Sequence, residues 1–207
     1  MHRPGMSIPL GLPTLDASGM NAPFSPTRPQ GPFEPVVPGN PPIDPELRIG
    51  HVHLRTADID RIRAFYVDLM GFDVVFEARD VPGWGTTGDI LFVSAGGYHH
   101  HLGFNTWKSA GASPQPDGVT GLHHVGLHFS TRARLATTVK RLLDGGVRIR
   151  AALDHGTHEA VYLLDPDGNT LELAWDRPFE AWVPYGDPAA PAVDAELDLD
   201  DLLADAS

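Results

Sequence analysis

The sequence predicts an α+β fold of two tandem βαβββ modules that share one domain. The main observation is an internal repeat: a strand that starts with histidine and valine and leads into a helix occurs at His51 and again at His124, 73 residues later. Three further strand candidates follow each helix. Each module's sheet has an apolar face that must be covered, so pairing the two modules is the simplest way to bury both.

Module 1 covers residues 49–107 and begins with a strand over 49–55. A helix follows, with Asp58 or Thr56 as its cap, apolar residues close to helical spacing, and an end at Gly71. The remaining predicted strands of this module are 73–78, 90–94 and 98–105.

Module 2 covers residues 121–178 and repeats this order after a loop over 108–120. A strand over 122–129 leads to a helix that Ser130 or Thr131 caps and that Gly145 stops. The later predicted strands are 147–152, 160–164 and 170–175. The last two are joined by the turn 165–169, Asp-Pro-Asp-Gly-Asn, in which proline presets φ and glycine accepts a positive φ.

Two flanking segments differ in composition from the predicted domain, residues 49–186. Residues 1–48 form a Pro/Gly-rich N-terminal extension, for which a disordered arm is favoured over an arm that wraps a partner subunit. Residues 187–207 form an acidic C-terminal tail with six carboxylates and no base after residue 193. Its leucines could dock on a surface, but acidic solubilising tails are commoner.

Composition argues against several functions. The formal net charge is −12 and no basic patch is present, so we expect neither nucleic-acid binding nor attachment to an anionic membrane surface. The chain has no cysteine, which excludes disulfides, zinc-thiolate sites and a cysteine nucleophile. No stretch approaches the ~20 apolar residues that span a bilayer, and a cytoplasmic location is the expectation.

Histidines are concentrated in one part of the chain, since ten of 11 lie between His51 and His158. Glu172 interrupts the apolar alternation of Leu171 and Leu173, and a carboxylate buried there without a partner would be unfavourable. Two neutral imidazoles and one carboxylate on converging strands form the ligand set of non-haem Fe(II) sites with open positions. The pattern predicts an oxygen-using metalloenzyme.

Residues 49–178 resemble the vicinal oxygen chelate superfamily, which includes glyoxalases, bleomycin resistance proteins and dioxygenases. The resemblance rests on the two βαβββ modules with His-Val strand starts, on the 165–169 turn, and on the Leu-Glu-Leu strand around Glu172. It implies a single domain whose mixed sheets form a cup that holds a metal site.

A narrower resemblance is to the catalytic half of type I extradiol (catechol 2,3-) dioxygenases. The matching residues are His123, His124, Val125, Asp154, His155, Gly156, Tyr162, the 165–169 turn and Glu172. The segment 98–107 is also similar to that of small two-module relatives described as catechol dioxygenase-like. Larger family members have four modules, which puts the depth and lid of this chain's substrate pocket in question.

The resemblance implies metal ligands at His51, His124 and Glu172. His123 competes with His124, because only one of two neighbouring strand residues can face the metal. The repeat favours His124, which precedes valine as His51 does. Fe(II) is the implied metal, and Mn(II) suits the same ligands.

The resemblance also implies catalytic roles for His100, His155 and Tyr162. Aligning the last strands of the two modules places His100 opposite Glu172, where a histidine that titrates near neutral pH suits acid/base work. A fourth metal ligand, as in glyoxalase-like members, is the open alternative for His100. His155 and Tyr162 match the family's pair of residues on the substrate side.

Three more residues are expected to bind substrate. His53 and His128 share strand parity with the expected ligands and so should line the cavity, although they could orient ligands or simply pack. Trp107 could wall an aromatic pocket or pack in the core.

The expected function is a non-haem Fe(II)-dependent extradiol dioxygenase that cleaves a catechol-type aromatic diol with O2, as in aromatic compound catabolism. One alternative on the same scaffold is a glyoxalase- or isomerase-type lyase with a divalent metal as Lewis acid. Another is a metal-free small-molecule-binding protein of the drug-sequestering type, for which apolar residues would be expected at the ligand positions. The 108–120 loop would permit a swapped homodimer, and the sequence does not decide between a monomer and a dimer.

Overall fold

Each module forms its own β-sheet in the computed structural model, which describes residues 44, 47–182 and 194–207. Most of the N-terminal extension and the start of the acidic tail lie outside the described residues. Module 1 contains β1 (Val52–Arg55), α1 (Ile59–Arg63), a π-helical continuation (Ala64–Leu69), β2 (Asp73–Gly83), β3 (Thr86–Ser94) and β4 (Leu102–Asn105). Its strands lie in the order β1-β4-β3-β2, with β1 and β4 parallel.

Module 2 repeats this arrangement. It contains β5 (Val125–His128), α2 (Arg132–Asp144), β6 (Ile149–Asp154), β7 (His158–Leu164) and β8 (Thr170–Asp176), followed by a 3-10 turn (Phe179–Ala181), β9 (Ala195–Glu196) and α3 (Leu199–Ala204). The strand order is β5-β8-β7-β6-β9, with β5 and β8 parallel. The predicted α+β fold of two βαβββ modules is confirmed.

Local sequence explains where the helices begin. The Asp58 carboxylate accepts hydrogen bonds from the backbone N–H groups of Asp60 and Arg61, which caps α1. The Thr131 hydroxyl accepts from the N–H of Arg134 at the start of α2. Of the candidate caps, the structure therefore uses Asp58 and Thr131.

Two strand predictions in module 1 need correction. β2 and β3 form a longer hairpin than expected, because pairing resumes beyond an irregularity between Ala78 and Val81 and continues to Gly83 and Thr86. The last strand is shorter than the predicted 98–105 and starts at Leu102. Glycines with positive φ at 96 and 97 form a turn that delays the start of this strand.

The apolar faces of both sheets pack on the helices in one shared core. Side chains of β1, β4, β5, β7 and β8 alternate between this core and the opposite face of each sheet. The core contains Ile59, Ile62, Tyr66, Leu102, Phe104, Leu135, Val139, Val161, Leu163, Leu171 and Leu173. The polar and aromatic side chains that concern function lie on the opposite faces.

A buried hydrogen bond joins the two modules. Tyr66, fully buried in the π-helical segment of module 1, donates to the Asp165 carboxylate in the 165–169 turn of module 2 at 3.0 Å. Arg61 reaches Asp167 in the same turn. The turn that ends in the Glu172 strand is therefore held from both modules.

The strand registers define which positions correspond in the two modules. Val52 lies opposite Leu102 in module 1, and Val125 lies opposite Leu171 in module 2. The residue that corresponds to Glu172 is therefore Gly103. The expected alignment of His100 with Glu172 is wrong, because His100 lies before β4, three positions from Gly103.

The described part of the acidic segment packs on module 2. β9 pairs with β6, and α3 lies against α2 with Leu202 fully buried. Arg132 on α2 forms ion pairs with Glu159, with Asp201 in α3, and with Asp205 at the C-terminal cap of α3. Among the described residues, no helix combines the length and the apolarity needed to cross a bilayer.

Candidate metal and substrate site

The Glu172 carboxylate is the centre of a polar cluster on module 2. Leu171 and Leu173 point into the core, so Glu172 lies on the opposite face of β8, where its side chain is 12% exposed. Gly126 lies directly opposite on β5, and a Cβ atom built there would be 3.6 Å from Glu172 Oε2. This is an ordinary contact distance, so Glu172 lies directly over Gly126 and within reach of any side chain at that position.

Three side chains contact the Glu172 carboxylate. His124 Nε2 lies 3.1 Å from Oε2, His158 Nε2 lies 3.2 Å from Oε1, and the Tyr162 hydroxyl donates to Oε1 at 2.6 Å. The hydrogen bond from His158, together with those from Tyr162 and the charge of His124, outweighs burial and lowers the pKa of Glu172 to about 2. The carboxylate is therefore ionised at neutral pH.

His155 extends this cluster toward the C-terminal segment. Its Nε2 lies 2.9 Å from the Tyr162 hydroxyl, and its Nδ1 lies 2.5 Å from the Asp194 carboxylate. The His155 ring also stacks on His158, with centroids 4.5 Å apart. A continuous path of hydrogen bonds thus runs from Asp194 through His155 and Tyr162 to Glu172.

Sequence reasoning missed His158, to which no role was assigned. Strand parity held the signal, because His158, Ala160 and Tyr162 lie on one face of β7. Ala160 and Ala174 are paired in register between His158 and Glu172. These two small side chains leave room for the imidazole to reach back to the carboxylate.

The donor set of this cluster suits a divalent metal ion. Among the described residues, His155, His158 and Glu172 form a group whose ligand atoms all lie within 4.8 Å of one another. An ionised carboxylate and imidazoles match the ligand preference of iron, manganese or zinc. This group shares Glu172 with the predicted ligand set and includes neither of its two histidines.

The structure brings together two of the three predicted ligands, His124 and Glu172. His123, the competing residue, lies beside His124 with their Nδ1 atoms 2.8 Å apart. His51 lies against His100 in module 1, with ring centroids 4.3 Å apart. The assignment of His51 as a ligand therefore stays a prediction.

His100 belongs to a ring cluster on the same face of module 1. Its imidazole stacks on Phe92 with centroids 4.4 Å apart and an interplanar angle of 9°. Burial, followed by the nearby charges of His51 and His99, lowers the pKa of His100. The ring is therefore neutral at pH 7 and can accept a proton.

The pair His53 and Gly103 in module 1 corresponds to the pair Gly126 and Glu172 in module 2. Gly103 lies opposite His53 in register, and a Cβ atom built on Gly103 would be 3.0 Å from the imidazole. Each module thus pairs one polar side chain with one glycine, but on exchanged strands: His53 is on β1 with Gly103 on β4, whereas Gly126 is on β5 with Glu172 on β8.

The three residues expected to bind substrate lie in different surroundings. The His53 ring stacks on Trp107 and its Nε2 lies 2.8 Å from Asn105 Nδ2; both neighbours line a cavity with it. Burial is the main cause that lowers the pKa of His53. His128 is 56% exposed and lies 3.3 Å from Asp176. Of the three residues, His53 and Trp107 therefore line one cavity together.

Two mixed sheets that share a core, with a carboxylate and histidines gathered on one polar face, define a glyoxalase-like fold with a candidate metal site. The model of the Glyoxalase/Bleomycin resistance protein/Dioxygenase superfamily matches residues 48–173. The chain belongs to this superfamily.

Several relatives are similar in sequence. A catechol-2,3-dioxygenase of Bacillus subtilis (strain 168) is 37% identical over 101 residues, which are 49% of this chain and 33% of that protein. Biphenyl-2,3-diol 1,2-dioxygenase 3 of Rhodococcus globerulus is 27% identical over 130 residues, 63% of this chain and 64% of that protein. A probable lactoylglutathione lyase of Synechocystis sp. (strain ATCC 27184 / PCC 6803 / Kazusa) is 26% identical over 126 residues, 59% of this chain and 91% of that protein.

The solved structure of a glyoxylase/bleomycin resistance protein/dioxygenase domain from Frankia sp. EAN1pec shares the fold. Its TM-score is 0.52 at 17% identity, and the match covers 63% of this chain and 98% of that one. By contrast, the matched region spans a third of the length of the Bacillus relative and less than two thirds of the Rhodococcus relative.

Proposed function

We propose that this protein is a non-haem Fe(II)-dependent extradiol dioxygenase that cleaves a catechol-type aromatic diol with O2. The observation that carries the proposal is the ionised Glu172 carboxylate, held among His124, His158 and Tyr162 on the open face of module 2. Similarity to two dioxygenases of aromatic diols supports the substrate class.

His51, His124 and Glu172 would hold the metal, with His155 and His158 as the alternative histidine donors beside the same carboxylate. When bound, a ferrous ion supplies Lewis acidity and redox chemistry at positions open to a diol and O2. Mn(II) suits the same donors. The carboxylate is ionised without the metal, so binding does not require removing a proton from Glu172.

Tyr162 and His155 would bind and orient the diol. The Tyr162 hydroxyl donates to Glu172, so its oxygen can accept a hydrogen bond from His155 Nε2. Asp194 accepts from the other ring nitrogen. His155, held between Asp194 and Tyr162, can form a hydrogen bond to a substrate oxygen placed beside Tyr162.

His100 would act as a base toward the diol. The imidazole is neutral at pH 7 because burial and neighbouring histidines lower its pKa. Its ring lies next to His51 and stacks on Phe92, which fixes its orientation. A neutral, oriented imidazole beside an expected ligand can take a proton from a diol oxygen.

Oxygen uptake by protein loaded anaerobically with Fe(II) tests the proposal. A panel of substituted catechols should give uptake and a yellow ring-opened product. Glu172→Gln should abolish uptake, whereas Asp176→Asn, which changes an exposed carboxylate on the same strand face, should retain it. No uptake by protein with verified bound iron would contradict the proposal.

A lyase or isomerase that uses a divalent metal as Lewis acid is the second candidate. It is supported by the lactoylglutathione lyase relative, which is matched over most of its length, and by His100 beside His51, where a fourth ligand could lie. The metal content of His100→Gln separates the two candidates. Loss of metal favours the lyase, and retained metal with slow ring cleavage favours the dioxygenase.

A further inference from the structure

A second feature of module 1 is a cavity of about 340 Å³ with a cationic and aromatic lining. We call it the Arg55 pocket; its lining residues are His53, Arg55, Trp84, Asn105, Trp107 and Lys108. No carboxylate lines it, although the chain has 27 acidic and 15 basic residues. The two other described cavities are each lined by three acidic residues. The Arg55 pocket is therefore suited to an anion.

The pocket continues from the expected metal ligand along one strand. His51, His53 and Arg55 alternate with Val52 and Leu54, which pack against the core, so the three polar residues share a face. At about 3.3 Å per residue, His53 lies about 7 Å and Arg55 about 13 Å along the strand from His51. This span accommodates an aromatic ring with a short side chain.

The residues around Arg55 differ from those at the corresponding positions of module 2. Arg55 lies opposite Asn105, and His128 lies opposite Ala174 in the second module. Two residues further on, Trp107 corresponds to Asp176. In module 2 the residue that corresponds to Arg55 has a carboxylate partner, because His128 contacts Asp176 at 3.3 Å.

In module 1 an indole replaces that carboxylate. Within the described ranges, neither Arg55 nor Lys108 forms an ion pair with an acidic side chain, whereas arginines such as Arg79 and Arg132 each contact several. The two cations of the pocket are therefore available to an anionic group supplied by a ligand. A guanidinium can bind a carboxylate through two parallel hydrogen bonds.

The tryptophans supply a surface for an aromatic ring. Trp107 is fixed by a hydrogen bond from Nε1 to the Val81 carbonyl at 2.9 Å, and its ring packs so closely on Gly83 that a Cβ atom there would be 2.3 Å away. Trp84 lies at the tip of the β2-β3 hairpin with φ of 51° and is 79% exposed. The backbone of Trp84 is thus in the left-handed region. Its exposed indole can pack on a bound ring.

We propose that the Arg55 pocket binds the carboxylate of an aromatic acid, with Arg55 and Lys108 as the cationic partners and Trp84 and Trp107 against the ring. The substrate follows from this pocket together with the proposed function, on which the inference rests: it is a diol with an anionic side chain at the end remote from the metal. The pocket itself requires no metal to bind the acid.

Tryptophan fluorescence of the metal-free protein tests this proposal without turnover. Phenylacetate should quench the emission, and the neutral isostere phenylacetamide should bind about tenfold more weakly. Arg55→Gln should remove this preference. Arg150→Gln is the matched control, because Arg150 lines a different cavity, and it should bind phenylacetate as the unaltered protein does. Equal binding of acid and amide, or unchanged binding by Arg55→Gln, would overturn the proposal.

The outcomes separate the pocket from the reaction. Arg55-dependent binding of phenylacetate supports the pocket even if the iron-loaded protein cleaves no catechol, a result that would contradict the proposed function alone. Cleavage of anionic and neutral catechols with equal kcat/KM, without phenylacetate binding, would overturn the pocket and leave the dioxygenase proposal standing.

Discussion

His124 Nε2 lies 3.1 Å from Glu172 Oε2, although 48 residues separate them in the chain. The contact follows from the parallel pairing of β5 with β8, which sets Gly126 opposite Glu172 and places His124 at the strand entry beside it. The same pairing in module 1 sets His53 opposite Gly103. One repeated topology thus presents a carboxylate in one module and an imidazole in the other.

Replacement of Glu172 should remove metal binding. Glu172→Gln keeps the side-chain volume but loses the negative charge that attracts the cation, so Fe(II) affinity should fall by about 100-fold or more. Anaerobic titration with Fe(II), followed by measurement of bound metal, reports the change.

Asp176→Asn is the control for this experiment, since it removes a carboxylate from the same face of β8 at a position that is 52% exposed. Its iron stoichiometry should equal that of the unaltered protein. Stoichiometric iron in Glu172→Gln would show that the carboxylate is not a ligand.

Tyr66→Phe should lower the free energy of unfolding by about 1–2 kcal/mol, because the variant loses the buried hydrogen bond to Asp165 that joins the modules. Asp165 keeps its bonds from Asn169. Urea unfolding measures the difference. Tyr98→Phe, at a tyrosine that is 40% exposed, should change stability by less than about 0.5 kcal/mol. Equal effects of the two substitutions would contradict this account of the module junction.

Acid should destabilise the metal-free protein partly through Glu172. The pKa of this carboxyl is lowered from 4.5 to about 2 on folding, mainly by the hydrogen bond from His158. A lowered folded-state pKa contributes stability that is present above about pH 4.5 and is lost as the pH falls toward 2. Unfolding measured against pH should show a shallower acid limb in Glu172→Gln than in the unaltered protein. If the unfolding free energy of both proteins fell equally steeply with decreasing pH, the contacts described around the Glu172 carboxylate would be contradicted.

Arg132→Met should loosen the C-terminal helix α3. Arg132 is 19% exposed and forms ion pairs with the buried Glu159, with Asp201 of α3 and with Asp205 at the C-terminal cap of α3. Because Arg177 still contacts Glu159, we expect a loss of about 2 kcal/mol in unfolding free energy. Hydrogen exchange over 199–204 should also accelerate.

Lys140→Met serves as the comparison for Arg132, since Lys140 forms an exposed pair with Asp144 on the same helix. Stability should change by less than about 0.5 kcal/mol, with no effect on exchange in α3. Unaltered exchange in α3 of Arg132→Met would mean that the ion pairs do not hold the helix.

Much of the fold could be predicted because the repeat and the helix caps are local signals. The 73-residue repeat predicts the two modules, and each helix starts at one of its two candidate caps, Asp58 for α1 and Thr131 for α2. Strand ends were less predictable: β2 and β3 extend beyond an irregularity, which depends on pairing between strands rather than on either strand alone. The docking of α3 depends likewise on Arg132, which the sequence does not connect with residues 201 and 205.

The candidate site could be predicted in part. The Glu172 cluster contains His124, His155 and Tyr162, which the resemblance indicated, but also His158, whose role depends on the two alanines that lie between it and Glu172. The expected position of His100 is wrong because the last strand of module 1 begins after a turn, at Leu102 rather than at residue 98, so that Gly103 and not His100 corresponds to Glu172. Whether His51 is a ligand stays a prediction.

Cleavage under ¹⁸O2 tests the central claim most directly. Iron-loaded protein would be given catechols in this atmosphere and the product analysed by mass spectrometry. The proposed dioxygenase predicts one ring-opened product that contains both atoms of O2, made by the unaltered protein and not by Glu172→Gln. An intact ring without incorporated oxygen, from protein with verified bound iron, would contradict it.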